Sequence, residues 1–103
     1  MAKSQETFDP AGSAEFDFEE PPMYRVLLLN DDYTPMDFVV MILMDIFHKS
    51  KDDAERIMMA VHRKGSGLCG VYPYEVAEAK TAEVEETARS AGYPLRCRME
   101  EDV

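Results

Sequence analysis

Basic residues are scarce in this chain: 11 Lys and Arg stand against 21 Asp and Glu, for a formal net charge of -10. Phosphate backbones and anionic lipid need a cationic surface, so the balance argues against a nucleic-acid partner and a membrane partner. It suits cationic ligands or basic partners, although acidic surfaces also simply keep proteins in solution. Long apolar runs are missing too, and nothing approaches the roughly 20 residues a membrane span needs. Met1–Glu6 lacks the apolar core of a signal peptide, so a cytoplasmic location is expected. Cysteine is limited to Cys69 and Cys97, too few for a disulfide framework and without zinc spacing. Both read as buried thiols. The two histidines, His48 and His62, fall on different expected helices with no short ligand spacing, so no metal is expected. No nucleophile elbow or phosphate loop is present. The chain is therefore expected to be neither an enzyme nor the carrier of a cofactor. Tryptophan is absent, and five Phe and five Tyr supply the large side chains of a composition that is 46% apolar.

At 103 residues the chain is expected to be one domain, or one domain plus a tail. Residues 1–22 carry Lys3 against six carboxylates, with Gly, Ser, Pro and Ala between them. That is the composition of a disordered extension. Phe8, Phe16 and Phe18 stand out in it, and leave open a segment gripped by a partner. The core domain is expected over 23–103. Tyr24–Leu29 reads as a strand. Thr34 as N-cap, Pro35 at the first helical position and Asp37 three residues after Thr34 predict a helix from Pro35 to about Phe47 or His48. Its face is Val39, Ile42, Leu43, Ile46 and Phe47. Met36, Phe38, Val40, Met41 and Met44 lie off that face and imply a groove or a second packing layer. Ser50 with Asp53 opens a second helix, Lys51 to Arg63, striped by Ala54, Ile57, Met58 and Val61 and stopped by Gly65. Gly65-Ser66-Gly67 is a turn before a short strand, Leu68–Tyr72. A third helix runs from Pro73 to about Ser90, with Val76, Ala77, Lys80, Val84, Ala88 and Ala91 at helical spacing. Gly92 ends it. Leu95–Met99 alternates apolar and polar, as a half-buried strand does. The order β-α-α-β-α-β predicts an α+β fold: a three-stranded antiparallel sheet with three helices.

The stretch Asn30–Met36 between the first strand and first helix admits two readings. Asn30 and Asp31 suit Asx-turn bonds to their own backbone, with the methionines in the core. Alternatively, Met36 and Val39 face Met58 and Val61 across an apolar slot, with Asn30, Asp31 and His62 on its rim. A carboxylate, an amide oxygen and a neutral imidazole nitrogen would meet the three protons of an ammonium. A free protein N-terminus with a large apolar first residue has that form.

Several motifs carry a resemblance. Tyr24–Met36 followed by Phe38-Val39-Val40, then Met58-Met59-Ala60-Val61-His62, Cys69-Gly70-Val71-Tyr72, Glu75–Lys80 and Pro94-Leu95-Arg96-Cys97 closely resemble the ClpS adaptor family, in order, over about residues 23–100. The resemblance implies a non-enzymatic adaptor of the bacterial N-degron pathway. Such an adaptor binds proteins with an N-terminal Leu, Phe, Tyr or Trp and hands them to the ClpA unfoldase of the ClpAP protease. It implies Asn30, Asp31 and His62 as holders of the α-amino group. It implies Thr34, Met36, Val39, Met58, Val61 and Leu95 as the side-chain pocket, with Met36 gating it against β-branched residues. Glu75 and Lys80 would face the N-terminal domain of the unfoldase, and the N-terminal extension would take part in delivery. The implied fold is similar to the C-terminal domain of the ribosomal stalk protein, and the expected state is a monomer. Asp37, Ala79 and Tyr93 depart from the family pattern, which more often has Glu, Thr and His there. A competing reading is a regulatory subunit that inhibits or redirects the unfoldase without recognising N-terminal residues.

Overall fold

A computed structural model describes residues 21–103. The expected disordered extension, residues 1–22, lies outside the described residues except for Pro21 and Pro22. The elements are β1 (Met23–Leu29), α1 (Met36–Asp45), α2 (Lys51–Lys64), β2 (Ser66–Pro73), α3 (Tyr74–Ala91) and β3 (Arg96–Glu101). The order is the expected β-α-α-β-α-β. β1 is the central strand of a three-stranded sheet and pairs antiparallel with β2 on one side and β3 on the other.

The pleat of β1 divides its side chains. Val26 and Leu28 point into the main core, whereas Leu27 lies on the other face, across from Leu68 and Arg98. On β3, Cys97 and Met99 follow the inward set and Arg96 and Arg98 stay exposed. A bulge sits between Val26 and Leu27, where Cys69 is the extra residue of β2. Both cysteines are free and buried. Burial pushes the Cys69 thiol up to about 12 and the Cys97 thiol to about 11, so both stay protonated at neutral pH.

The expected face of α1 is the buried one: Val39, Ile42, Leu43, Ile46 and Phe47 enter the core. Met36 and Met44 remain exposed. In α2, Ser50 accepts from the Asp53 backbone N–H as expected, and Gly65 closes the helix in the left-handed region at φ 93°. Ala77, Val84 and Ala88 of α3 are fully buried, and their small size lets that helix lie close to its neighbours.

Four expectations need correction. Pro35, not Thr34, occupies the N-cap position of α1, and no side chain caps that end. The Thr34 hydroxyl is drawn off to Asp31 instead. α1 stops at Asp45, because His48 takes a positive φ of 57° and Lys49 N–H turns back to Leu43 O at 3.1 Å. Ser66 and Gly67 belong to β2 rather than to a turn, held by pairing with Leu29 and Leu28. Val76 and Ala91 of the expected α3 stripe are exposed: Val76 stands at the edge of the buried face, and Ala91 is the last residue of the helix.

Candidate functional site

The stretch after β1 is fixed by one side chain. Asp31 Oδ1 accepts from Tyr33 N–H at 2.8 Å and from Thr34 N–H at 2.7 Å. Its Oδ2 accepts from the Thr34 hydroxyl at 2.8 Å. The Asx-turn chemistry is thus present, and it holds the carboxylate in one orientation. Burial alone would raise the Asp31 pKa, but the bonds from Thr34 N–H, Tyr33 N–H and the Thr34 hydroxyl outweigh it. The group is held below the ordinary carboxylate value and is ionised at neutral pH. A carboxylate offers about four acceptor positions, and three are occupied here, so Oδ2 keeps one free.

A backbone bond ties this corner to α2. Asn30 N–H donates to Gly65 O at 2.9 Å, and Gly65 N–H donates to Val61 O at 3.0 Å. The last turn of α2, with Val61 and His62, is thereby held beside Asn30. Gly67 sets how closely α2 approaches the sheet. A Cβ there would stand 2.7 Å from Val61 Cγ2, closer than real side chains come, and 3.1 Å from Ile57 O, a tight contact.

Between the corner and α2 lies a cleft of about 390 Å³. Asn30, Asp31 and His62 line it, together with Thr34, Met36, Val39, Met58 and Val61. The two sets inferred from the sequence, one polar and one apolar, therefore meet in one cavity. Asn30 and His62 are exposed, and their side chains have no hydrogen-bond partner among the described residues. Met36, the first residue of α1, stands 43% exposed at the mouth. Val39 and Val61 are buried walls. Leu95 is placed elsewhere: it is buried in the same core cluster as Val39 and Val61 but is absent from the cleft lining. Asp32, Tyr33 and Pro35 also line the cleft and were not singled out in the sequence. Tyr33 is 78% exposed, and an aromatic inside an acidic turn was the available signal.

The two residues assigned to unfoldase docking lie on α3. Glu75 is exposed in its first turn. Lys80 is half-buried, and its Nζ donates to Ile46 O at 2.8 Å while lying 5.8 Å from the Phe47 ring centre and 5.6 Å from that of Tyr72. It supplies the positive charge that the last turn of α1 lacks. Among the described residues, no group of His, Cys, Asp and Glu is arranged to hold a metal ion. No described helix is long and apolar enough to cross a membrane.

Fold and cleft together define a small α+β binding domain with an apolar slot rimmed by hydrogen-bond acceptors. Residues 19–98 match the family model described as ATP-dependent Clp protease adaptor protein ClpS. The chain belongs to the ClpS family. It is 62% identical over 84 residues to the ATP-dependent Clp protease adapter protein ClpS of Phenylobacterium zucineum, covering 82% of this chain and 77% of that one. The ClpS of Hyphomonas neptunium is 56% identical over 95 residues, covering 92% and 80% of the two chains. Among solved structures, Agrobacterium tumefaciens ClpS2 bound to L-phenylalaninamide matches with a TM-score of 0.79 and 41% identity, covering 81% of this chain and all of that one.

Proposed function

We propose that this Clp protease adaptor binds proteins through a free N-terminal Leu, Phe, Tyr or Trp and delivers them to the N-terminal domain of a ClpA-type unfoldase. The observation that carries the reading is the meeting, in one cleft, of an apolar slot with three acceptors at its rim. The Asn30 amide oxygen, the free position on Asp31 Oδ2 and an imidazole nitrogen of His62 each accept one N–H of the substrate ammonium. The first side chain enters between Val39, Met58 and Val61. Met36 stands over the mouth, where a branch at Cβ would meet it. Thr34 acts on the slot and also through Asp31, and Leu95 only through the core behind the walls. The related ClpS2 was solved with L-phenylalaninamide, which carries a free amine beside a benzyl group, the same pairing of chemistries.

Magnitudes support a working affinity. Burying a Leu or Phe side chain contributes roughly 1.5–3 kcal/mol. Three charge-assisted hydrogen bonds contribute about 1.5–3 kcal/mol each. Association offsets several kcal/mol of this. The upper end of these ranges leaves about -8 kcal/mol, or about micromolar. Delivery rests on Glu75 and Lys80 facing the unfoldase and on the N-terminal extension, with the adaptor acting as a cytoplasmic monomer and without chemistry of its own.

Titrating four peptides that differ only in a first residue of Phe, Leu, Ile or Ala tests the reading. Phe and Leu should bind about tenfold or more tightly than Ile and Ala, a difference of roughly 1.4 kcal/mol. His62→Ala should weaken Phe-peptide binding and leave unfoldase binding intact. Equal affinity for all four peptides, or none for any, would instead favour a regulator that inhibits or redirects the unfoldase.

A further inference from the structure

Helix α2 has a second flank, lined by grooves of its own. By helical spacing, Met58, Val61 and His62 face the cleft, while Arg56, Met59, Ala60 and Arg63 lie on the opposite side. Two adjoining grooves of about 320 and 330 Å³ run along that side and share Arg56 and Ala60. The first lies against β2 and is lined by Ile57 and Leu68 together with Lys49 and Arg56. The second sets Met59 among Arg56, Arg63 and Lys64. Among the described residues no carboxylate lines either groove, although the chain carries a net charge of -10. Elsewhere the described arginines are matched: Arg25 and Arg98 pair with Glu100, Arg89 with Glu86, and Arg96 with Glu85. Arg56 has only an exposed pair with Asp53, and Lys49, Arg63 and Lys64 have no carboxylate within ion-pair distance among the described residues.

We propose that residues 1–20 dock in cis on this flank of α2. Their carboxylates would sit on Arg56, Arg63 and Lys64, and a phenylalanine would sit between Ile57 and Leu68. Charge selects the surface. The segment has Lys3 against Glu6, Asp9, Glu15, Asp17, Glu19 and Glu20, and α3 and the corner at Asp31 and Asp32 repel it. Its apolar anchors, Phe8, Phe16 and Phe18, match the Ile57, Leu68 and Met59 side chains that line the grooves. Reach is ample. Met23 pairs with Pro73, and Gly70 at the first groove is three residues back along β2, about 10 Å away. Twenty residues span up to about 70 Å when extended. Tethering supplies an effective concentration of order millimolar, so a contact with a dissociation constant of about 1 mM is half occupied. Docking stores the segment on the adaptor's own surface, and salt or a more strongly acidic partner releases it.

A nitroxide on Ser13→Cys in the full chain tests this. Cys69 and Cys97 are buried, so the label goes to the new thiol. Amide signals of Arg56, Ala60, Leu68 and Gly70 should broaden strongly, and those on the outer face of α3 should not. Arg56→Glu with Arg63→Glu should abolish the effect, as should neutralising the segment itself with Glu15→Gln, Asp17→Asn, Glu19→Gln and Glu20→Gln, which leaves the core untouched. Broadening that is uniform around the molecule, that survives the segment variant, or that arises when labelled and isotope-enriched molecules are mixed (docking on a second copy) would overturn the proposal.

Discussion

At Asp31 one carboxylate holds the turn and, in the proposed reading, also the rim. Three of its acceptor positions hold Tyr33 and Thr34, and in the proposed reading the fourth takes the substrate ammonium. Asp31→Asn separates the two roles. An amide oxygen can still accept from both backbone N–H groups, so the corner should persist. The charge and the free acceptor are lost, and Phe-peptide affinity should fall about tenfold or more, as titration calorimetry would read. Unchanged affinity would remove Asp31 from the rim. The depressed pKa fixes a sign for stability as well. Stability from these bonds is fully present above the ordinary carboxylate value and is lost as pH falls through the lower folded value. Acid unfolding of the parent protein should therefore show this loss, and Asp31→Asn should reduce the steepness of the acid limb. Binding has the opposite limb. A peptide α-amine titrates at about 7.7–8.0, so affinity should decline as pH rises beyond about 8. Fluorescence anisotropy on either side of that pH would check it.

At the scale of elements, the site depends on where α1 begins and where α2 ends. Gly65 ends α2 in a conformation glycine favours, and its carbonyl holds Asn30. Gly67 then admits α2 close to β2. Gly67→Ala should force α2 outward at Val61 and cost roughly 1–3 kcal/mol, measurable by urea unfolding. Peptide affinity should fall with it, since Val61 and His62 move with the helix. A stable variant with full affinity would show that the close approach does not set the cleft. Lys80 poses a different problem. Its ammonium joins α3 to the end of α1, so Lys80→Met should cost roughly 2 kcal/mol of stability through the lost charged hydrogen bond. Any effect of that variant on the unfoldase mixes fold with surface. Exposed Glu75 is the cleaner probe, and Glu75→Ala should weaken unfoldase binding without lowering the urea midpoint.

Over the whole molecule, periodicity read the architecture well because each element buries one face. The buried face from Val39 through Phe47, just past the end of α1, and the alternation of β3 follow from spacing alone. The limits lie where a side chain chooses between partners. Thr34 had the sequence of an N-cap, but the nearby Asp31 carboxylate takes its hydroxyl. Lys80 sat on an expected apolar stripe, and only the meeting of α3 with α1 shows its ammonium bonded to Ile46 O. The cleft was legible as two sets of residues 19 or more positions apart in sequence, from Val39 to Met58 and beyond. The hydrogen bond from Asn30 to Gly65 that joins them carries no sequence signature. Leu95 was assigned to the pocket by resemblance, and its burial outside the lining is a matter of packing depth.

The central claim is that the cleft reads an ammonium and an apolar side chain together. The most direct measurement compares one Phe-initiated peptide with its α-N-acetylated form, by anisotropy at neutral pH. Acetylation removes the charge and two of the three donors and leaves the benzyl group unchanged. Binding of the free peptide near micromolar, with loss of at least about a hundredfold on acetylation, is the predicted result. Equal affinity for the two peptides would contradict the account.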